Sequence, residues 1–192
     1  MEDDDVKKLA AKIGWDDSSF AFRHGFTVSD EILTAIGCAV VCQSHIEMQF
    51  AMLISHFLNV DENKVVALTS GMSFKNLAAA LSSMVLLSVD QDSQAYQEFK
   101  TLMGKLQHFE EFRNQISHSV WAHSQDFASG RATRIKTTAR QGRGVRHDRE
   151  EVEIARISEA LNEATQSLMK LVLLVSALAG KPIQWPSSAE LG

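Results

Sequence analysis

The sequence predicts an all-α fold, an up-and-down bundle of four to five helices with a β-hairpin inserted around residues 120–150. Three observations predict it. Apolar residues recur every three or four positions over most of the chain, the spacing of one buried helix face. Only two prolines, Pro182 and Pro186, interrupt 192 residues, and both stand near the C-terminus. The body of the chain therefore loses no helical hydrogen bond to a missing N–H. The breaks between periodic segments are short and polar, as antiparallel helix neighbours require. At 45% apolar and 22% charged residues, the composition is that of a globular protein, and the length suits one well-buried domain.

Each element has its own signals. Residues 1–28 read as an irregular arm that starts with "MEDDD" and carries one short helix around Val6–Ile13. The helical domain spans residues 29–180. Ser29 is the expected N-cap of its first helix, with Asp30 and Glu31 favourable at the positive end of the helix dipole. Ile32, Ile36, Ala39, Ile46, Phe50, Leu53 and Phe57 then mark one apolar face. Asp61 caps a short helix that Gly71 terminates, and Ser73 caps "FKNLAAALSSMVLLS". "DQDSQ" separates that helix from a long one over about residues 93–119. The segment 120–150 changes character, being rich in Gly, Thr, Ser and Arg. "RATRIKTTAR" alternates and pairs with Val120–His123 as a hairpin, and "QGRGVR" after it is expected to be mobile without ligand. The last helix covers about Ile157–Ala179, and Gly180 and Pro182 stop it. Residues 181–192 form a C-terminal tail in which Ile183 and Trp185 are apolar enough to dock on a partner.

Charge is unevenly spread. The net charge is −5, yet Arg131 to Glu150 holds seven basic and two acidic residues, which makes that insert +5 and the remainder −10. Arg131, Arg134, Lys136, Arg140, Arg143 and Arg146 are spaced with almost no aromatics between them. That pattern suits phosphate-backbone contact better than base stacking, and its bland alternative is a solvated, solubilising loop.

Other classes are disfavoured. Cys38 and Cys42, four apart on an apolar helical run, read as buried free thiols in a reducing compartment. No HExxH or Cys/His knuckle is present, so neither a metal nor a cofactor is expected. The acidic N-terminus is unlike a signal peptide. The longest apolar run, "LVLLVSALAG", is too short to span a bilayer. A cytoplasmic location without a membrane partner is expected.

One residue breaks the pattern. Along the penultimate helix the seam runs Phe99, Leu102, Leu106, Phe109, Arg113, Ile116, Val120. A guanidinium keeps its charge inside a protein, so Arg113 either meets an internal carboxylate or a cleft that admits an anion, or snorkels along the seam to water near the helix end. Glu47, beside the apolar face of the first helix, is the best internal candidate to pair with it, the equal alternative being a boundary residue that faces solvent, and Gln43 is ambiguous in the same way. His118 follows five residues later. On one helix the two side chains would point about 140° apart. Two copies across a twofold interface can instead line one groove with both pairs.

Arg113-Asn114-x-x-x-His118, late on a long helix of a helical domain, resembles the signature of the HEPN superfamily. The resemblance covers about residues 29–180 and implies a dimeric, metal-independent endoribonuclease. In that reading Arg113 holds the scissile phosphate and His118 transfers protons at the 2′-OH or the leaving 5′-oxygen. Asn114 orients His118 or bonds a phosphate oxygen. The implied partners are RNA, a second copy of the chain and an antitoxin or regulatory protein, since many such proteins act as toxins or anti-phage effectors. The alternative is a noncatalytic HEPN-like module that binds nucleotides, RNA or protein.

Overall fold

The computed structural model describes residues 29–123, 130–140 and 144–180. The short helix expected at Val6–Ile13 and the tail residues Ile183 and Trp185 lie outside the described residues. The described chain is mainly helical, with α1 (Asp30–Leu58), α2 (Glu62–Thr69), α3 (Phe74–Ser88), α4 (Gln94–Ser117) and α5 (Ile154–Leu178). Between α4 and α5 run β1 (Val120–His123), β2 (Arg131–Arg140) and β3 (Gly144–Glu153), an antiparallel sheet in the order β1-β2-β3. The expected all-α fold is thus mainly α with a small sheet.

Local chemistry accounts for most boundaries. Ser29 Oγ accepts from the Ile32 N–H at 3.4 Å at the start of α1. Asp61 Oδ1 accepts from the Asn63 and Lys64 N–H groups and caps α2. Gly71 has φ +83°, a left-handed conformation that glycine adopts without a Cβ penalty. Ser73 stands at the N-cap position of α3, but its side chain makes no capping bond. α5 begins at Ile154, three residues earlier than the sequence reading, because β3 runs directly into it.

The chain divides into two compact units. Among the described residues, one comprises 29–36, 118–123, 130–140 and 144–157, the other 37–117 and 158–180. In the first, Ala132 on β2 sits opposite Val152 on β3, and both are buried. Ile32 and Ala132 form a core cluster with Leu33, Ile36, Trp121 and Ile154 packed against it.

β3 is the strand that the sequence reading missed. "GVRHDREEVE" has no clean apolar alternation. Besides the buried Val152, opposite Ala132, its register is marked by charged cross-strand pairs. Arg131 meets Glu153 at 2.6 Å, and Arg134 meets Glu150, each pair directly opposite in register. Of "QGRGVR", Gly144 to Arg146 belong to β3, and 141–143 lie outside the described residues.

The second unit is built on helix faces of period 3.6. Ala39, Ile46, Phe50, Leu53 and Ile54 of α1 are buried, as are Leu77, Leu81 and Val85 of α3 and Ala164, Leu171, Val172 and Val175 of α5. Phe50 packs on Phe74 with ring centroids 5.3 Å apart. α4 contributes Phe99, Leu102, Leu106, Phe109, Phe112 and Ile116. Val120, assigned to this seam from sequence, instead opens β1 and is exposed. Both cysteines are free, as expected, but they are not fully buried, Cys38 being exposed and Cys42 half-buried. Partial burial pushes the Cys42 thiol up, against a smaller downward pull from a Thr165 hydrogen bond.

Candidate functional site

Arg113 stands between Phe109 and Ile116 in the buried seam of α4. It is half-buried, its Nε is shielded from solvent, and that Nε makes no hydrogen bond. Among the described residues no carboxylate pairs with it. Glu47, the candidate partner, accepts instead from Gln43 Nε2 at 3.3 Å on its own helix. Other arginines are treated differently, for Arg131, Arg134, Arg146 and Arg156 each hold a carboxylate. An unsatisfied guanidinium N–H in an apolar seam costs about 1–3 kcal/mol, so an acceptor supplied from outside would be favoured there.

The end of α4 explains the local geometry. The helix stops at Ser117, and His118 lies in the turn that follows, exposed to solvent. The angle expected for one continuous helix therefore does not apply to Arg113 and His118. The boundary between the two units also falls between Ser117 and His118. Asn114 is half-buried and donates from Nδ2 to Glu110 Oε1 at 2.5 Å, one turn back. That bond ties the amide to its own helix rather than to His118.

Three further polar atoms share the condition of Arg113 Nε, among them Arg134 Nη1 on the hairpin. Ser117 Oγ and Gln43 Oε1 are buried without partners. Sequence reasoning passed over Ser117. The one available signal was its spacing, four residues after Arg113 and so on the same helix face. Gln43 is 2% exposed, in the α1 seam between Ala39 and Ile46.

The hairpin is less purely basic than its composition suggests. Glu151 and Glu153 follow directly after the segment counted as +5. Arg131 is paired with Glu153, Arg134 with Glu150, and Arg146 Nε with Asp148 Oδ1 at 2.6 Å. Arg134 is largely buried at 11% side-chain exposure, and its Nη1 has no partner. Lys136 is exposed and sits opposite Asp148 in register. Arg143 and the side chain of Arg140 lie outside the described residues.

Glu150 joins the hairpin to α5 by accepting from Arg156 Nη1 at 2.5 Å as well as from Arg134. The Arg156 hydrogen bond first, and the Arg134 bond second, hold its carboxyl below the usual glutamate range. A depressed carboxylate adds stability above its unfolded value and loses it as pH falls through the folded value. The pairs are solvent-screened, which limits the effect to about 1 kcal/mol. Glu150→Gln is expected to unfold more easily than wild type by about that amount at neutral pH. The gap should close as pH falls from the ordinary glutamate range through the lowered folded value, as followed by denaturant midpoints across pH.

A groove of about 580 Å³ opens between α3 and α4. Lys75, Tyr96, Lys100, Glu110 and Glu111 are among its lining residues, and Lys100 Nζ lies 5.9 Å from the Tyr96 ring centroid. Its volume is in the range of small-molecule sites. Among the described residues no group of three or more His, Cys, Asp or Glu side chains is placed to hold a metal ion. No described helix is long and apolar enough to cross a membrane. Comparison of the chain with family models, with curated proteins and with solved structures returns no match.

Proposed function

We propose that this protein is a metal-independent endoribonuclease of the HEPN type, acting as a homodimer built from up-and-down helical bundles. The observation that carries the reading is Arg113, a fixed cation in an apolar seam whose buried Nε lacks an acceptor. A phosphodiester oxygen supplies that acceptor and neutralises the charge, and the bond strengthens as negative charge builds on the phosphate in the transition state.

In the proposed reaction the ribose 2′-oxygen attacks the adjacent phosphorus and its proton passes to the imidazole of one His118. The bond from phosphorus to the 5′-oxygen breaks, and that oxygen takes a proton from the His118 of the second copy. The products are a 2′,3′-cyclic phosphate and a 5′-hydroxyl. Asn114 is assigned to holding the end of α4 through Glu110. Among the described hairpin cations, Lys136 and Arg149 are the best placed for RNA-backbone contact, because both are exposed while Arg131, Arg134 and Arg146 are engaged with carboxylates. A toxin or anti-phage effector held in check by an antitoxin or regulatory protein fits this activity.

The groove between α3 and α4 favours a second reading, a noncatalytic nucleotide-, RNA- or protein-binding module. Light scattering combined with a cleavage assay in EDTA separates the two. The nuclease reading expects a dimer at micromolar concentration that cuts RNA without metal. A monomer with no cleavage supports the module.

A further inference from the structure

Resting on the ribonuclease reading, we infer that Ser117 is a second phosphate-holding residue, whose hydroxyl donates to the same scissile phosphate as Arg113 Nε. Inside a helix a Ser or Thr can donate to the carbonyl four residues back. In this protein Thr69 does so to Val65 at 2.8 Å, Ser83 to Ala79 at 2.9 Å, Ser88 to Met84 at 2.9 Å, Thr101 to Gln97 at 2.9 Å and Thr165 to Leu161 at 2.9 Å. Ser117 has the same opportunity at the carbonyl of Arg113 and leaves it unused, although its Oγ is buried. A buried hydroxyl without a partner is uncommon and calls for a physical reason.

Arg113 supplies the reason. Four residues apart on α4, the two side chains share a face of the last turns. Both Arg113 Nε and Ser117 Oγ are without partners, so neither satisfies the other. Phe112 and Ile116, between them in the chain, are buried. That helix end therefore holds an N–H and an O–H without acceptors, both closed to solvent until a side chain moves, and the complementary ligand is an acceptor with several oxygens and a negative charge. A phosphodiester has that chemistry. Its two non-bridging oxygens can take one bond each, and the Ser117 bond gains strength as charge accumulates on them.

The test compares wild type, Ser117→Ala, Ser117→Thr and Arg113→Ala as full-length protein. In EDTA with labelled RNA, Ser117→Ala is expected to lower kcat about tenfold, the effect of one hydrogen bond to a charged group, with KM within about twofold. Ser117→Thr, which keeps the hydroxyl, should stay within about threefold of wild type. The melting temperature of Ser117→Ala should not fall, because the variant removes an unsatisfied polar atom rather than a bond. Inorganic phosphate, against chloride at matched ionic strength, should raise the melting temperature of wild type more than that of either alanine variant.

Ser117→Ala cleaving at the wild-type rate while Arg113→Ala is inactive overturns this inference and leaves the ribonuclease reading standing. Wild-type cleavage by Arg113→Ala removes that reading itself. Should RNA remain uncut by every variant, an equal phosphate shift in all four proteins overturns the inference. Loss of the dimer in Ser117→Ala also overturns it, because the hydroxyl would then be bonding a second copy instead of phosphate.

Discussion

Arg113→Ala is expected to lower chelator-resistant RNA cleavage by about 10³-fold, the scale seen when a fixed donor to a developing charge is removed. Arg113→Lys should restore little, because an ammonium is a point charge on a flexible stem and cannot present the planar fork of a guanidinium. The stability effect runs the other way. The Nε of Arg113 is buried and unbonded among Phe109, Phe112 and Ile116. Arg113→Leu replaces it with a side chain suited to that seam and is expected to stabilise the fold by about 1–3 kcal/mol. For a chain of this size, each kcal/mol raises the melting temperature by about 2–4 °C. A variant that melts higher and no longer cuts RNA identifies a residue kept for function. A variant that melts much lower would mean that the guanidinium has a structural partner.

His118→Ala is expected to lower kcat by about 10²–10⁴-fold, the usual contribution of a positioned general acid or base. His118 is exposed in the turn after α4, so its loss should change stability by less than about 0.5 kcal/mol. RNA affinity should hold within about twofold, because the imidazole acts on protons and the phosphate contacts remain. Binding measured with 2′-O-methylated RNA isolates this, since the attacking hydroxyl is blocked. Equal losses of affinity and rate would assign His118 to binding and leave the proton transfers to another group.

The helical part of the fold was legible because burial imposes a period. Ile32, Ala39, Ile46, Phe50 and Leu53 of α1 and Phe99, Leu102, Leu106 and Phe109 of α4 are buried where the spacing put them. Arg113 was visible for the same reason, as an interruption of a regular pattern. β3 was not visible. Its specificity lies in charge pairs with β2, such as Arg134 with Glu150, and apolar periodicity carries no record of cross-strand ion pairs. Those pairs also mean that a basic segment judged by residue count overstated the free positive charge. Ser117 was hidden because a serine near a helix end ordinarily bonds its own backbone. Only the side-chain geometry shows that this one does not. Val120 was misplaced because an apolar residue beyond a helix end can continue the spacing by coincidence.

The most direct measurement is product-end analysis of RNA incubated with the purified protein in excess EDTA, run beside Arg113→Ala. The account predicts fragments ending in 2′,3′-cyclic phosphate and beginning with 5′-hydroxyl from wild type, and none from the variant. Fragments with 5′-phosphate ends, cleavage that stops when metal is chelated, or equal cutting by Arg113→Ala would contradict it.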